Sequence, residues 1–447
     1  MLNNGYRVAR RLTALLVLGL AVFPAWAGLA IQHWTTPQGA RVYFVENHDL
    51  PMLDLSVSFD AGSARDRRET SGLASLTRQL MAQGAGDFSE REVSERLADV
   101  GAVLGGSFDP DRAAFSLRTL SGARERDQAL AVFEAILSAP HFGQDVLERE
   151  RARAIAGLKE AETKPEYLGG KAFQAAVFGD HPYGLPEAGE VDGLARITRQ
   201  DVLDFHRTHY RAANMSVAIM GDLDRAGAER IAARLADGLP QGQAPAPLPP
   251  VRPAGAGGER VIPHHATQSH LLVGQTGMTR DDPDYFPLLV GNYILGGGGF
   301  DSRLLIEIRQ KRGLAYSAYS YFSPMREPGP FQIGLQTRRE TTAQALDVLR
   351  ETLARFVAEG PTGEELAQAR NNLVGGFPLR LDSNKKILGY LEVIGFYGLP
   401  LDWLDQYPRR VAEVGREDIV RAFRARVHPQ AMQTVIVGGQ IEPQAKP

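Results

Sequence analysis

The same order of structural signals occurs in LARITRQDVLDFHRTHYRAANMSVAIMGDLD (residues 194–224) and in VAEVGREDIVRAFRARVHPQAMQTVIVGGQI (residues 411–441). In both, a short hydrophobic stretch precedes an Asp-centred helical pattern, and an apolar run typical of a β-strand follows before a glycine. A repeat of this length predicts two homologous domains and not a solenoid of short units.

The two halves also begin alike, with the alternating patterns MLDLSVSFDAGS (residues 52–63) and QSHLLVGQTGMT (residues 268–279). Strands come in groups beside long helices, and the helices are not interleaved one per strand. This arrangement favours an α+β fold in which each domain has a mainly antiparallel sheet packed with helices.

A low-complexity segment separates the halves. It reads GLPQGQAPAPLPPVRPAGAGGERVIPHH (residues 238–265) and is dominated by Pro, Gly and Ala, which cannot supply a packed core. We therefore predict an N-terminal domain at 28–237, a linker at 238–265 and a C-terminal domain at 266–447. Such a linker would allow the halves to open and close.

The N-terminus has the pattern of a secretory signal. Three arginines precede an apolar run from Leu12 to Phe23, and Ala-Trp-Ala ends at Ala27, so we predict a signal peptide at residues 1–27 that is cleaved after Ala27 and leaves no membrane anchor. Loss of three arginines and no acid changes the formal net charge from −3 to −6, which argues against a nucleic-acid partner. The chain has no Cys, which excludes disulfides and thiolate zinc sites. These features indicate export to a bacterial periplasm.

The segment SGLASLTRQLMAQG (residues 71–84) predicts an amphipathic helix, with Ser71 as its cap. Ser75, Arg78 and Gln79 fall together on its polar face. A zinc helix of the His-x-x-Glu-His type has this spacing but needs two imidazoles and a carboxylate. Serine and glutamine are poor zinc ligands, and a protonated guanidinium cannot abstract a proton from water. Periodicity alone favours a solvated helix face.

Other polar residues give weaker signals. His206 and His209 share a helix without a third ligand at suitable spacing, which favours a surface helix end over a metal pair. His264, His265 and His270 border the linker and are interpreted as exposed loop residues. The glycine run at 296–299 lacks the Lys-Ser/Thr of a phosphate loop.

Across nearly all of the mature chain, the sequence resembles the pitrilysin/insulinase family of zinc peptidases, in its short bacterial, mitochondrial-processing-peptidase-like form. The resemblance rests on stretches such as SVSFDAGSARDRRETSGLASLTRQLMAQGA, FGDHPYGLPEAGEVDGL and LGGGGFDSRLLIEIRQKRGLAYSAYSYF. It places Ser75, Arg78 and Gln79 at the first His, the Glu and the second His of the zinc motif.

The same alignment places the family's third ligand, a downstream Glu, at Gly157, with Glu150 and Glu160 displaced from it. Gly105 stands where a substrate-contacting Asn would lie. The resemblance therefore implies a non-catalytic subunit with no cofactor in this chain, and zinc in a homologous partner.

The second half retains a different family feature. Family members hold the substrate carbonyl with an Arg and a Tyr seven residues apart, and Arg309 and Tyr316 have this spacing in IRQKRGLAYS. The resemblance implies a clamshell of two domains that forms half of a peptide chamber, inactive alone and active with a zinc-bearing subunit. The alternative is a non-enzymatic peptide-binding or assembly protein on the same fold.

Overall fold

A computed structural model describes residues 29–252 and 255–438. The predicted signal peptide and its cleavage site after Ala27 lie outside the described residues. Within the described ranges, no helix is both long and apolar enough to span a bilayer.

The first half builds a six-stranded sheet with the strand order β1-β2-β6-β3-β5-β4. Its central strand β3 pairs antiparallel with both β5 and β6, whereas β2 and β6 run parallel. In chain order the elements are β1 (Gln32–Thr35), β2 (Arg41–Glu46), β3 (Met52–Phe59), α1 (Leu73–Met81), α2 (Glu90–Asp99), β4 (Val103–Gly105), β5 (Ala113–Leu120), α3 (Ala123–Ser138), α4 (Gln144–Ala161), α5 (Pro165–Phe178), α6 (Val191–Arg196), α7 (Arg199–His209), β6 (Met215–Gly221) and α8 (Arg225–Asp237).

The second half builds a five-stranded sheet with the order β7-β11-β8-β10-β9. All neighbours pair antiparallel except β7 and β11. Its elements are β7 (Glu259–Ile262), β8 (Gln268–Thr276), α9 (Tyr285–Asn292), α10 (Arg303–Leu305), β9 (Ala315–Phe322), β10 (Pro330–Arg338), α11 (Thr342–Glu359), α12 (Gly363–Gly375), α13 (Asn384–Tyr397), α14 (Trp403–Glu413), α15 (Arg416–Arg426) and β11 (Gln433–Val437). The α+β class with two mainly antiparallel sheets is confirmed.

The sequence repeat corresponds to a structural repeat. In each half a helix, α7 or α15, leads into a buried strand, β6 or β11. Both helices begin with the same contact, because the carboxylates of Asp201 and Asp418 each accept a hydrogen bond of 2.8 Å from a backbone N–H three residues earlier. The shared Asp therefore fixes the start of both helices.

The described residues of the predicted linker at 238–265 contain one element of regular structure. Residues 259–262 form β7, which pairs parallel with β11 from Thr434↔Glu259 to Val437↔Ile262. The pairing satisfies backbone groups along the open edge of β11. The Pro, Gly and Ala composition of the segment does not predict this strand, because its partner lies far away in the chain.

One helix of each half packs on the sheet of the other half, an exchange across the boundary between them. Helix α5 of the first half packs on β8 and β11 of the second sheet, and α13 of the second half packs on β3 and β6 of the first. Gly395 of α13 lies so close to the first sheet that a Cβ there would stand 2.6 Å from the ring of Tyr43. Opening the halves at the linker would expose these packed surfaces, so the exchange opposes the hinge expected from composition alone.

Candidate functional site

Helix α1 carries three of the predicted site residues on one face. Ser75, Arg78 and Gln79 are half-buried, while Leu76 and Leu80 on the opposite side are buried in the core. The polar face is therefore not simply solvated. With Gly105 and five further residues, the three side chains line a cavity of about 460 Å³.

The start of α1 differs from the sequence prediction. Ser71 does not cap it; the carboxylate of Asp66 instead accepts hydrogen bonds from the N–H groups of Gly72 (2.7 Å) and Ala74 (2.8 Å). Burial raises the pKa of Asp66 to about 7, against the opposing effect of these two hydrogen bonds. A carboxyl group that lies just before the helix pattern thus satisfies the first N–H groups of the helix.

Arg78, which the sequence resemblance predicts to stand at the position of a catalytic Glu, is held by the backbone. Its Nε and Nη2 donate to the carbonyl oxygen of Ala114 at 3.2 and 3.0 Å, and its guanidinium lies 5.1 Å from the ring centre of Phe115. Gly106 makes room for this arrangement, because at its φ of +144° a Cβ would stand 2.6 Å from Nη2 and 2.0 Å from the Ala114 oxygen. Burial lowers the pKa of Arg78, which nevertheless remains a cation at neutral pH.

Gln79, which the same resemblance predicts to stand at the position of the second His, contacts a buried carboxylate. Its Nε2 donates to Glu150 Oε2 at 2.6 Å, and Glu150 is fully buried. Arg149 and Arg153 donate to the same carboxylate at 2.8 to 3.0 Å and neutralise it. The sequence resemblance places the third ligand at Gly157 and leaves Glu150 seven residues, or nearly two helical turns, away from it on α4. In the structure it is nevertheless Glu150, and not Gly157, that contacts Gln79.

The third-ligand position itself offers nothing to a metal. Gly157 is exposed, and no atom lies within 4 Å of where its Cβ would stand. Among the described residues, no group of three His, Cys, Asp or Glu side chains is arranged to hold a metal ion. Serine, arginine, glutamine and glycine at these four positions do not fit a zinc site.

Arg309 and Tyr316 are brought together at the surface of the second half. Between them the chain turns at Gly313, whose φ is +62° and whose N–H donates to the Arg309 carbonyl at 2.9 Å. The Arg309 guanidinium lies 4.5 Å from the ring centre of Tyr316 and 5.2 Å from that of Phe300. Tyr316 is 81% exposed, so its phenol is open to a ligand. Neither residue lines the cavity beside α1.

Between the halves lies a second cavity, of about 780 Å³ and lined by residues of both. Beside it, the buried carboxylate of Asp111 accepts hydrogen bonds from the phenols of Tyr183 and, at 2.9 Å, Tyr397, and from the N–H of Arg326 at 2.8 Å. Burial raises the pKa of Asp111 despite these bonds. The sequence shows no signal for this junction, since its members are distant in the chain.

The histidines differ from their predicted settings. His206 is buried, with its Nε2 2.9 Å from the Leu137 carbonyl oxygen, and Nδ1 of His209 lies 3.2 Å from the Asp60 carbonyl oxygen. Burial lowers the pKa of His209 to about 4. His206 is therefore a buried residue and His209 a partly buried one packed against a distant segment, and the pair does not form a fully exposed helix end. His264 and His265 stack on each other outside the strands, whereas His270 is buried in β8.

Family models match most of the described chain. A model described as insulinase (peptidase family M16) matches residues 41–190, and one described as peptidase M16 inactive domain matches residues 196–373. A non-peptidase homolog from Helicobacter pylori, YmxG, is 25% identical over 95% of this chain and 98% of that protein.

Solved structures show the same fold. The peptidase M16 inactive domain from Pseudomonas fluorescens superposes with a TM-score of 0.89 and 36% identity, covering 92% of this chain and 98% of that one. The periplasmic protease PqqL from Escherichia coli superposes with a TM-score of 0.76 at 14% identity, covering 92% of this chain and 45% of that one. The latter likeness concerns the fold alone.

Proposed function

Because this chain belongs to the insulinase (M16) family of peptidases, we propose that it is the zinc-free subunit of a periplasmic heteromeric zinc metallopeptidase that degrades or processes peptides. A homologous partner subunit supplies the zinc site. This chain supplies Arg309 and Tyr316 to the substrate carbonyl, together with part of the wall of the peptide chamber.

One observation carries the proposal: the residues at the predicted zinc positions and the predicted carbonyl-binding pair are arranged differently in this chain. At the zinc positions, Arg78 is bound to a backbone carbonyl and Gln79 to Glu150. Arg309 and Tyr316, in contrast, lie side by side with the phenol exposed. A chain that lacks the metal ligands but presents the carbonyl-binding pair is suited to complement a zinc-bearing homologue.

The chemistry of the pair fits that role. When a peptide bond is attacked, negative charge develops on the carbonyl oxygen, and donors positioned around that oxygen stabilise the transition state. A guanidinium donates several hydrogen bonds from a fixed plane, and a phenol donates one. Zinc in the partner would activate the attacking water, so the two subunits would act on opposite sides of one carbonyl.

Export to the periplasm is part of the proposal. It is supported by the secretory pattern of residues 1–27. PqqL, a protein of similar fold, is described as periplasmic.

Reconstitution tests the proposal. A zinc-bearing family member from the same source is co-expressed with this chain, and peptide cleavage by each subunit and by the mixture is measured with and without a chelator. We expect a stable complex, chelator-sensitive cleavage by the mixture and none by this chain alone. Absence of a complex, or equal activity of the partner alone, would contradict it.

A non-enzymatic peptide-binding role is the second candidate. It is favoured by the cavity that persists beside α1 and by the name of the relative YmxG, a non-peptidase homolog. In that case the mixture would bind peptides without accelerating their cleavage.

A further inference from the structure

The cavity beside α1 contains a cation with no counter-ion. Among the described residues, Arg78 forms hydrogen bonds only through Nε and Nη2, both to a backbone carbonyl, and it forms no ion pair. Its Nη1 has no hydrogen-bond partner there and is not sealed from solvent. One edge of a guanidinium therefore remains available to an acceptor in the cavity.

The buried carboxylate that Gln79 contacts, Glu150, does not neutralise Arg78. Glu150 is bonded to Gln79 and to two other arginines, Arg149 and Arg153. Its charge is already balanced, so it does not offset the cation in the cavity. A half-buried guanidinium that lacks a carboxylate partner favours an anionic ligand.

The guanidinium is also positioned in advance. The Ala114 carbonyl, the ring of Phe115 and the close approach of Gly106 hold its plane in one orientation. A donor that is already oriented loses less conformational freedom when it binds a ligand.

The size and lining of the cavity restrict the ligand. A volume of about 460 Å³ exceeds the requirement of a small inorganic anion and falls in the range of organic ligand sites. Leu104, Phe108 and Phe115 contribute apolar surface beside the cation. A carboxylate attached to an apolar group matches both features.

We propose that the cavity beside α1 binds a peptide through a carboxylate held by Arg78, with an apolar side chain of the peptide against Leu104 and the two phenylalanines. The position that serves catalysis in zinc-bearing relatives thus serves recognition here. This site lies in the first half and needs neither zinc nor a partner. It goes beyond the zinc-dependent function proposed above, and it gives the peptide-binding candidate a defined residue and ligand chemistry.

Calorimetric titration of the purified mature chain tests this site. The probes are N-acetyl-Ala-Ala-Ala-Ala-Leu with a free carboxylate, the same peptide as its C-terminal amide, an amidated peptide ending in Glu, and inorganic phosphate. We expect the free acid to bind at least about tenfold more tightly than the leucine amide, the advantage typical of a charge-assisted hydrogen bond. If the amidated peptide ending in Glu binds as tightly as the free acid, Arg78 can also hold a side-chain carboxylate of the peptide, and the proposed site is supported.

Variants assign the effect to Arg78. Arg78→Gln should remove the preference for the acid, and Arg96→Gln should keep it, because Arg96 also stacks on a phenylalanine, Phe88, at 5.2 Å but lies outside the cavity. Ser75→Glu places a carboxylate one helical turn from Arg78 and should abolish the preference even if Arg78→Gln fails to fold. Equal binding of acid and amide, no effect of Ser75→Glu in a folded chain, or phosphate binding as tightly as the peptide acid would overturn the proposal.

Discussion

Removing the Arg309 side chain should reduce catalysis in the reconstituted complex while leaving this subunit folded. Arg309 contacts exposed aromatic rings, and exposed cation–π contacts contribute about 0.5–1 kcal/mol to stability. Loss of one donor to a developing oxyanion, by comparison, lowers kcat by about 100- to 1,000-fold. Arg309→Ala should therefore lose at least about 100-fold in kcat with less than about 1 kcal/mol of destabilisation.

Tyr316→Phe separates the phenol from the ring. The ring that stacks on Arg309 remains and only the exposed hydroxyl is lost, so stability should not change measurably. We expect kcat to fall by about tenfold or more, with KM little altered, because the hydrogen bond strengthens in the transition state.

The assay is steady-state cleavage of a fluorogenic peptide by complexes whose subunit ratio and zinc content have been measured. Arg312→Ala is the matched control, since Arg312 lies three residues away and pairs with Glu307 at 2.7 Å. The reasoning is refuted if Arg309→Ala and Tyr316→Phe retain the wild-type kcat in intact complexes. It is refuted equally if Arg312→Ala reduces kcat as much as Arg309→Ala does.

Three further predictions concern the framework of the site. Glu150→Gln should destabilise the chain by about 2 kcal/mol in urea unfolding, because it removes the charge of a fully buried carboxylate and replaces one of its two acceptor oxygens with a donor, although the arginines concerned can still reach solvent. Glu148→Gln, with an exposed side chain on the same helix, should change stability by less than about 0.5 kcal/mol, and equal effects would contradict this. Asp66 binds its proton more tightly in the folded than in the unfolded chain, since its pKa is raised to about 7 in the folded state. The unfolding free energy of the wild-type chain, relative to that of Asp66→Asn, should therefore fall by up to about 4 kcal/mol as pH rises from about 4 to about 7. A difference that does not depend on pH would refute the raised pKa. Gly395→Ala should destabilise the chain by about 1–3 kcal/mol, because its Cβ would meet a tyrosine ring and a serine hydroxyl at 2.6 and 2.7 Å. Gly389→Ala on the same helix meets nothing within 4 Å and should be neutral or stabilising in thermal unfolding. The reverse order of stability would contradict the packing of α13 on the first sheet.

Local pattern was sufficient for some features of the site and not for others. The helical period put Ser75, Arg78 and Gln79 on one face, and the structure has them there. The pattern could not show that Glu150 bonds Gln79, because that contact joins residues 71 positions apart and depends on how α1 and α4 pack. The predicted cap of α1 was wrong for a different, local reason: Ser71 has the chemistry of a cap, but the turn before the helix brings the carboxylate of Asp66, five residues earlier, to the same N–H groups.

The histidines show the same limit in another way. Spacing alone placed His206 and His209 at an exposed helix end, whereas both bond to carbonyl oxygens of distant segments. A helical period identifies which residues share a face, but whether that face meets water or a neighbouring element depends on the tertiary packing.

The sequence by itself determined the α+β class and the two-fold repeat, because periodicity and turn residues are properties of local residue type. Its resemblance to a family of zinc peptidases predicted the vacant zinc positions, which periodicity alone did not indicate. Only the tertiary structure decided that the halves exchange α5 and α13, that Arg78 is an oriented cation beside a cavity, and that Arg309 meets Tyr316 at an exposed surface. The first two features arise from contacts between segments distant in the chain, whose free energy depends on which surfaces are buried together. The third depends on the turn at Gly313 and on packing that leaves Tyr316 exposed.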